Sequence, residues 1–178
     1  FYGIDLFPGA EVRVHLGMIQ HIKDFGLTIN GSNYVFIEFP AQHVPGGTTN
    51  LVYQMLLDGL IPIISHPERN AVFARSPEIL YELITQGAIG QVTAQSITGG
   101  FGRHVRKAAE SFVRHRLVHL IASDAHNAEA RPPRLSEAVK MAAKFVGTAC
   151  AEAMVTTVPA AILENEQIPD LGEPTSPA

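Results

Sequence analysis

The chain has 178 residues, 46% of them hydrophobic and 17% charged, a balance that supports one sizeable buried core and excludes a disordered or fibrous polypeptide. A formal net charge of −4 excludes general attraction to a nucleic-acid backbone, and no run approaches the ~18 apolar residues of a membrane span. The single cysteine, Cys150, excludes an internal disulfide and a cysteine-based zinc site, and its apolar neighbours read as core.

The chain opens Phe1-Tyr2-Gly3-Ile4-Asp5, without methionine and already in an alternating pattern, which predicts a strand over 2–6 and a domain entered midway. No basic-then-apolar leader pattern precedes it, so a cytoplasmic location is expected. Four further apolar, β-branched runs predict buried strands over 34–39, 61–65, 88–93 and 118–123. Between them, Leu51, Val52, Met55 and Leu56 share one helical face, and Ile79, Leu80, Leu83 and Ile84 share another. Ser76-Pro77 marks a helix start, while Asp58-Gly59 and Gln86-Gly87 mark helix ends. A helix is predicted over 98–116, with Arg103, Arg106, Lys107, Arg114 and Arg116 as a solvated basic face. Residues 1–168 read as one domain, and 169–178, rich in proline and small residues, as a disordered tail.

Alternating strands and helices predict an α/β fold with a parallel sheet or barrel, whose strand C-termini share one side. At those ends stand Glu38, His66, Asp124 and His126, with Glu11 following the first predicted strand. Taken singly, each is ordinary: a strand-end glutamate is usually a loop ion pair, and a lone histidine usually packs or caps. Four strand ends supplying ligand types at one rim point instead to a metal cluster, because packed carboxylates repel unless divalent ions turn that repulsion into coordination. The mix of oxygen and imidazole donors suits Mn, Fe or Zn.

Arg69, in His66-Pro67-Glu68-Arg69, and Arg131, in Arg131-Pro132-Pro133, are candidate phosphate clamps, since guanidinium forks hold phosphate oxygens bidentately. Glu68 reads as orienting a neighbour, and Arg75 and Arg134 as surface residues. His15, His21, His43, His104, His115 and His119 lack a ligand partner at recognisable spacing and read as structural. The glycine-rich turn at 99–102 lies at the same rim.

Gly-Ala-Glu-Val-Arg at 9–13, Phe-Ile-Glu-Phe-Pro at 36–40, Pro-Ile-Ile-Ser-His-Pro-Glu-Arg-Asn at 62–70 and Ile-Ala-Ser-Asp-Ala-His-Asn at 121–127, followed by Arg-Pro-Pro at 131–133, occur in an order that resembles the PHP (polymerase and histidinol phosphatase) superfamily. Within it, the resemblance is to the bacterial capsular-polysaccharide-type protein-tyrosine phosphatases. It implies a distorted (β/α)7 TIM-like barrel, here missing its first strand-helix units. It also implies up to three divalent ions, Mn above all: Glu11 bridges two of them, Glu38 and His66 complete the second site, Asp124 ligates the first and His126 the third. Arg69 and Arg131 match the phosphate-binding, catalytic arginines. The family's Asp-x-His-x-His segment has no counterpart here, which leaves the first and third sites incomplete.

The chemistry expected is single-step hydrolysis, in which a metal-activated hydroxide attacks phosphorus in line while Arg69 and Arg131 hold the equatorial oxygens. The resemblance implies phosphotyrosyl protein as substrate, specifically a bacterial tyrosine kinase of capsule or exopolysaccharide export, with no nucleic acid and no membrane insertion; an oligomer is left open. Two alternatives stand beside it: a phosphoesterase of a small molecule such as histidinol phosphate, and a catalytically inert metal- or partner-binding fragment.

Overall fold

The computed structural model describes residues 3–177. Five strands, β1 (Glu11–Arg13), β2 (Tyr34–Glu38), β3 (Ile61–Ser65), β4 (Ile89–Thr93) and β5 (Leu120–Ala122), form one parallel sheet in sequential order. The crossovers carry α1 (Met18–Phe25), α2 (Thr48–Leu57), α3 (Ala71–Arg75), α4 (Pro77–Thr85), α5 (Ala94–Thr98) and α6 (Arg103–Arg114). Beyond β5 follow α7 (Ser136–Val146), α8 (Thr148–Ala153) and α9 (Thr157–Leu163).

Strand alternation divides the core in two. Val35, Ile37, Ile64, Val92 and Ile121 point to the main core shared with the crossover helices. Tyr34, Ile63, Ile89 and Leu120 point the other way, into a smaller core with Val158 and Ile162 of α9. On that second face the lower part of the sheet is apolar and closed, while its C-terminal rim carries Glu11, Glu38 and Gln91. The strands read as continuous apolar runs because both faces are buried.

Four predicted strands lie where periodicity placed them, with ends trimmed by up to two residues. The expected strand over 2–6 is not formed within the described residues: 3–10 is irregular, with Ile4 and Leu6 79% and 90% exposed, and Tyr2 lies outside them. The first strand is instead Glu11–Arg13, so Glu11 sits on a strand rather than after one. The expected helix over 98–116 is also corrected. Gly99 (φ 93°) and Gly102 (φ 89°) break it, so that α5 ends at Thr98 and α6 starts at Arg103.

Gly90 in β4 has a separate reason to be glycine, since a Cβ there would meet the Leu117 carbonyl oxygen at 2.2 Å. Cys150 is partly buried beside Arg116 rather than fully in the core. Within its described residues, 169–177, the tail expected to be disordered carries no helix or strand, and it makes definite contacts: Arg116 donates to the Leu171 carbonyl, and the Thr175 amide donates to the His115 carbonyl at 2.9 Å. No helix among the described residues is long and apolar enough to cross a membrane.

Candidate metal centre

The strand ends converge because parallel strands return their C-termini to one rim. Glu11 and Glu38 lie on adjacent strands, where β1 and β2 pair with Arg13 opposite Glu38. His66 follows β3 directly, and its positive φ of 34° turns the chain sharply into the one-turn 3₁₀ helix Pro67–Arg69. Asp124, two residues beyond β5, has a φ of 48°. Two non-glycine residues in the left-handed region at one rim are strained placements, of the kind that clusters at functional sites.

His66 Nε2 stands 3.1 Å from Glu11 Oε1 and 3.8 Å from Glu38 Oε1. The three side chains each offer a ligand atom, and these atoms lie within 4.8 Å of one another. This donor set fits a divalent cation: two carboxylates from neighbouring strands share one imidazole, a placement that a positive charge between them stabilises.

The His66 hydrogen bond holds the Glu11 carboxyl below its ordinary range against the opposing effect of burial. For His66, burial pushes the imidazolium down and Arg69 adds to that, but the Glu11 hydrogen bond and the charges of Glu11 and Glu68 together leave a net upward shift.

Across the same cavity of about 200 Å³, which Glu11, His66 and Gln91 line, lies Asp124. Its carboxylate does not join the triad. Oδ2 accepts from Arg69 Nη1 at 3.0 Å and, in a closer contact, from Arg131 Nη2. His126 is mostly exposed, with Nδ1 2.9 Å from the Asp124 carbonyl and 3.6 Å from Asp124 Oδ1. The structure thus gathers Glu11, Glu38 and His66, sets Asp124 with both arginines opposite them, and leaves His126 at the edge.

Three supporting residues position this group. Phe101 lies under both guanidinium groups, with ring centroids 5.0 Å from Arg69 and 5.6 Å from Arg131. A lone aromatic in a glycine turn gave no sequence signal for that role. Glu68, 1% exposed, accepts from the Thr93 amide at 3.0 Å and the Ser96 hydroxyl at 2.6 Å, which ties the His66–Arg69 turn to the start of α5. Burial raises the Glu68 carboxyl pKa, against those hydrogen bonds. Asn70, also buried, caps α3 through Val72 and Phe73 while its amide donates to the Pro40 and His43 carbonyls, anchoring the loop that follows Glu38.

The chain is similar to several known proteins. It is 41% identical over 136 residues to CapC of Staphylococcus aureus, covering 76% of this chain and 53% of CapC. It is 37% identical over 146 residues to the tyrosine-protein phosphatase YwqE of Bacillus subtilis, covering 82% of this chain and 58% of YwqE. The chain therefore spans between half and three-fifths of the length of these two relatives. Among solved structures, one chain from the crystal structures of YwqE from Bacillus subtilis and CpsB from Streptococcus pneumoniae, described as unique metal-dependent tyrosine phosphatases, matches with a TM-score of 0.86 at 33% identity, covering 95% of this chain and 69% of that chain. The family profile for capsular polysaccharide synthesis, CpsB/CapC, matches residues 2–164, and the chain belongs to that family.

Proposed function

We propose that the chain acts as a metal-dependent protein-tyrosine phosphatase. The observation that carries this reading is the Glu11–Glu38–His66 triad, with Asp124, held by Arg69 and Arg131, across the small cavity that Glu11 and His66 line. The names of the relatives support it. Glu11, Glu38 and His66 hold one divalent ion in this reading, with Asp124 and His126 serving further ions. When bound, such ions acidify a water molecule and neutralise charge on the phosphoryl group.

The chain's own residues do the rest. Arg69 and Arg131 now converge on one carboxylate oxygen, Asp124 Oδ2, and a phosphoryl group would offer them several oxygens with more charge. Phe101 keeps both guanidinium planes in place, so little side-chain freedom is lost when the anion arrives. Glu68 and Asn70 hold the turn that carries His66 and Arg69. A phenolate leaving group, of pKa ~10, needs little help from a protein acid.

The finer assignments belong to the same proposal. Oxygen and imidazole donors suit Mn, with Fe or Zn as alternatives. Five sequential parallel strands are compatible with a PHP-type distorted barrel, for which 1–168 would be the phosphoesterase domain and 169–178 a tail. A tyrosine kinase of polysaccharide export as substrate and a cytoplasmic site of action are part of the same proposal.

The test is a comparison of phosphotyrosyl peptide, phosphoseryl peptide and histidinol phosphate as substrates with added manganese. Preferential release of phosphate from the phosphotyrosyl peptide is expected; preference for histidinol phosphate would sink the tyrosine assignment.

A further inference from the structure

A second concavity, of about 530 Å³, lies beside the candidate metal centre and shares a wall with it. Arg69 and Asn70 line both this groove and the cavity that holds Glu38 and His66. The groove runs between the α3–α4 junction and α6. Its buried lining includes Ala108 and Phe112, whereas Arg75, His104 and Lys107 line it from exposed positions. This volume is typical of a ligand-binding cleft.

The groove carries positive charge that no acid beside it offsets. Among the described residues, neither Arg75 nor Lys107 forms an ion pair, although Arg106 on the same helix is held by Glu110 at 2.7 Å. The one acid lining it, Glu68, is buried and hydrogen-bonded to Thr93 and Ser96, so it presents no exposed negative charge. The groove is thus cationic in a chain whose net charge is −4, and of the basic residues expected on a solvated face of α6 it is Lys107 that lines it.

We infer that this groove receives an acidic peptide segment adjoining the phosphorylated residue of a protein substrate. Carboxylates of such a segment would meet Arg75 and Lys107 while Arg69, at the shared wall, meets the phosphate. The inference deepens the phosphatase reading and rests on it for the identity of the substrate; the groove's charge stands independently of it.

The experiment is fluorescence anisotropy of this chain with a labelled peptide rich in Asp and Glu but without phosphate, against a neutral Asn/Gln peptide of equal length. The acidic peptide should bind and the neutral one should not. The double variant Arg75→Ala/Lys107→Ala should weaken binding roughly tenfold, as two exposed charge pairs allow. Arg103→Ala removes an exposed charge on the same helix outside the groove and should change binding by roughly twofold or less. Equal binding of both peptides, or an equal loss in Arg103→Ala, would overturn the inference. Hydrolysis of p-nitrophenyl phosphate, followed in parallel, separates the two claims: groove-dependent binding without any turnover supports the groove and defeats the phosphatase reading. Turnover with no preference for the acidic peptide does the reverse.

Discussion

His66 is the residue on which the proposed centre turns, because in that reading a proton and a cation would compete for the same position beside Glu11 and Glu38. Its raised pKa means that metal binding must displace a proton over a range extending above the ordinary 6.5. Isothermal titration with a divalent cation should therefore show affinity falling as pH drops through that range, by up to about tenfold per pH unit for one proton displaced. A flat profile from pH 8 to 6 would contradict the assignment. Without a cation the signs run in opposite directions for the two partners. Glu11, lowered from 4.5, contributes stability above that pH that is lost as pH falls. His66, raised from 6.5, contributes stability below that pH that is lost as pH rises. The pair thus helps most between 4.5 and 6.5. Replacing a ligand should be severe: Glu11→Gln or His66→Ala should weaken metal binding by roughly 100-fold or more, beyond the effect of losing an outer hydrogen bond.

Among the elements, the segment from β3 through the 3₁₀ turn to α3 does the most positioning, and Asn70 secures it with four hydrogen bonds to Val72, Phe73, Pro40 and His43. Asn70→Ala removes the cap and leaves two carbonyls short of a partner, so a loss of about 2 kcal/mol or more is expected in urea unfolding. A loss under about 0.5 kcal/mol would show that the anchor is dispensable. The β4–β5 pair carries a different device. His119 Nδ1 accepts from the Gly90 amide at 3.2 Å, and burial lowers its pKa to about 4. Its neutral form is the folded one, so stability is complete above 6.5 and declines as pH falls toward 4, by about 3 kcal/mol in order of magnitude. His119→Asn, which does not titrate, should flatten that acid limb of the unfolding midpoint. An unchanged limb would assign the acid sensitivity elsewhere.

For the molecule as a whole, legibility followed burial. β2 to β5 were readable as apolar runs and α2 and α4 as periodic faces, because each element is buried and its glycine stop is local. β1 was not readable: three residues with only Val12 buried carry too little pattern, and the exposed 3–10 segment imitated a strand. The break between α5 and α6 depends on two positive-φ glycines that a helical period overrides on paper. At the rim, residue types at strand ends pointed to Glu11, Glu38 and His66 meeting, since topology alone brings them together. The grip of both arginines on Asp124 and the Phe101 platform beneath them arise from loop conformation, which no spacing encodes.

The central claim is that this rim binds a divalent ion and uses it on a phosphoester. Its most direct test is metal content per chain by elemental analysis after dialysis with manganese, for the wild type and Glu11→Gln/His66→Ala, alongside phosphotyrosine hydrolysis before and after chelation. The account predicts metal in the wild type, loss in the variant, and hydrolysis that chelator abolishes and manganese restores. Equal metal in both proteins, or hydrolysis that survives chelation, would contradict it.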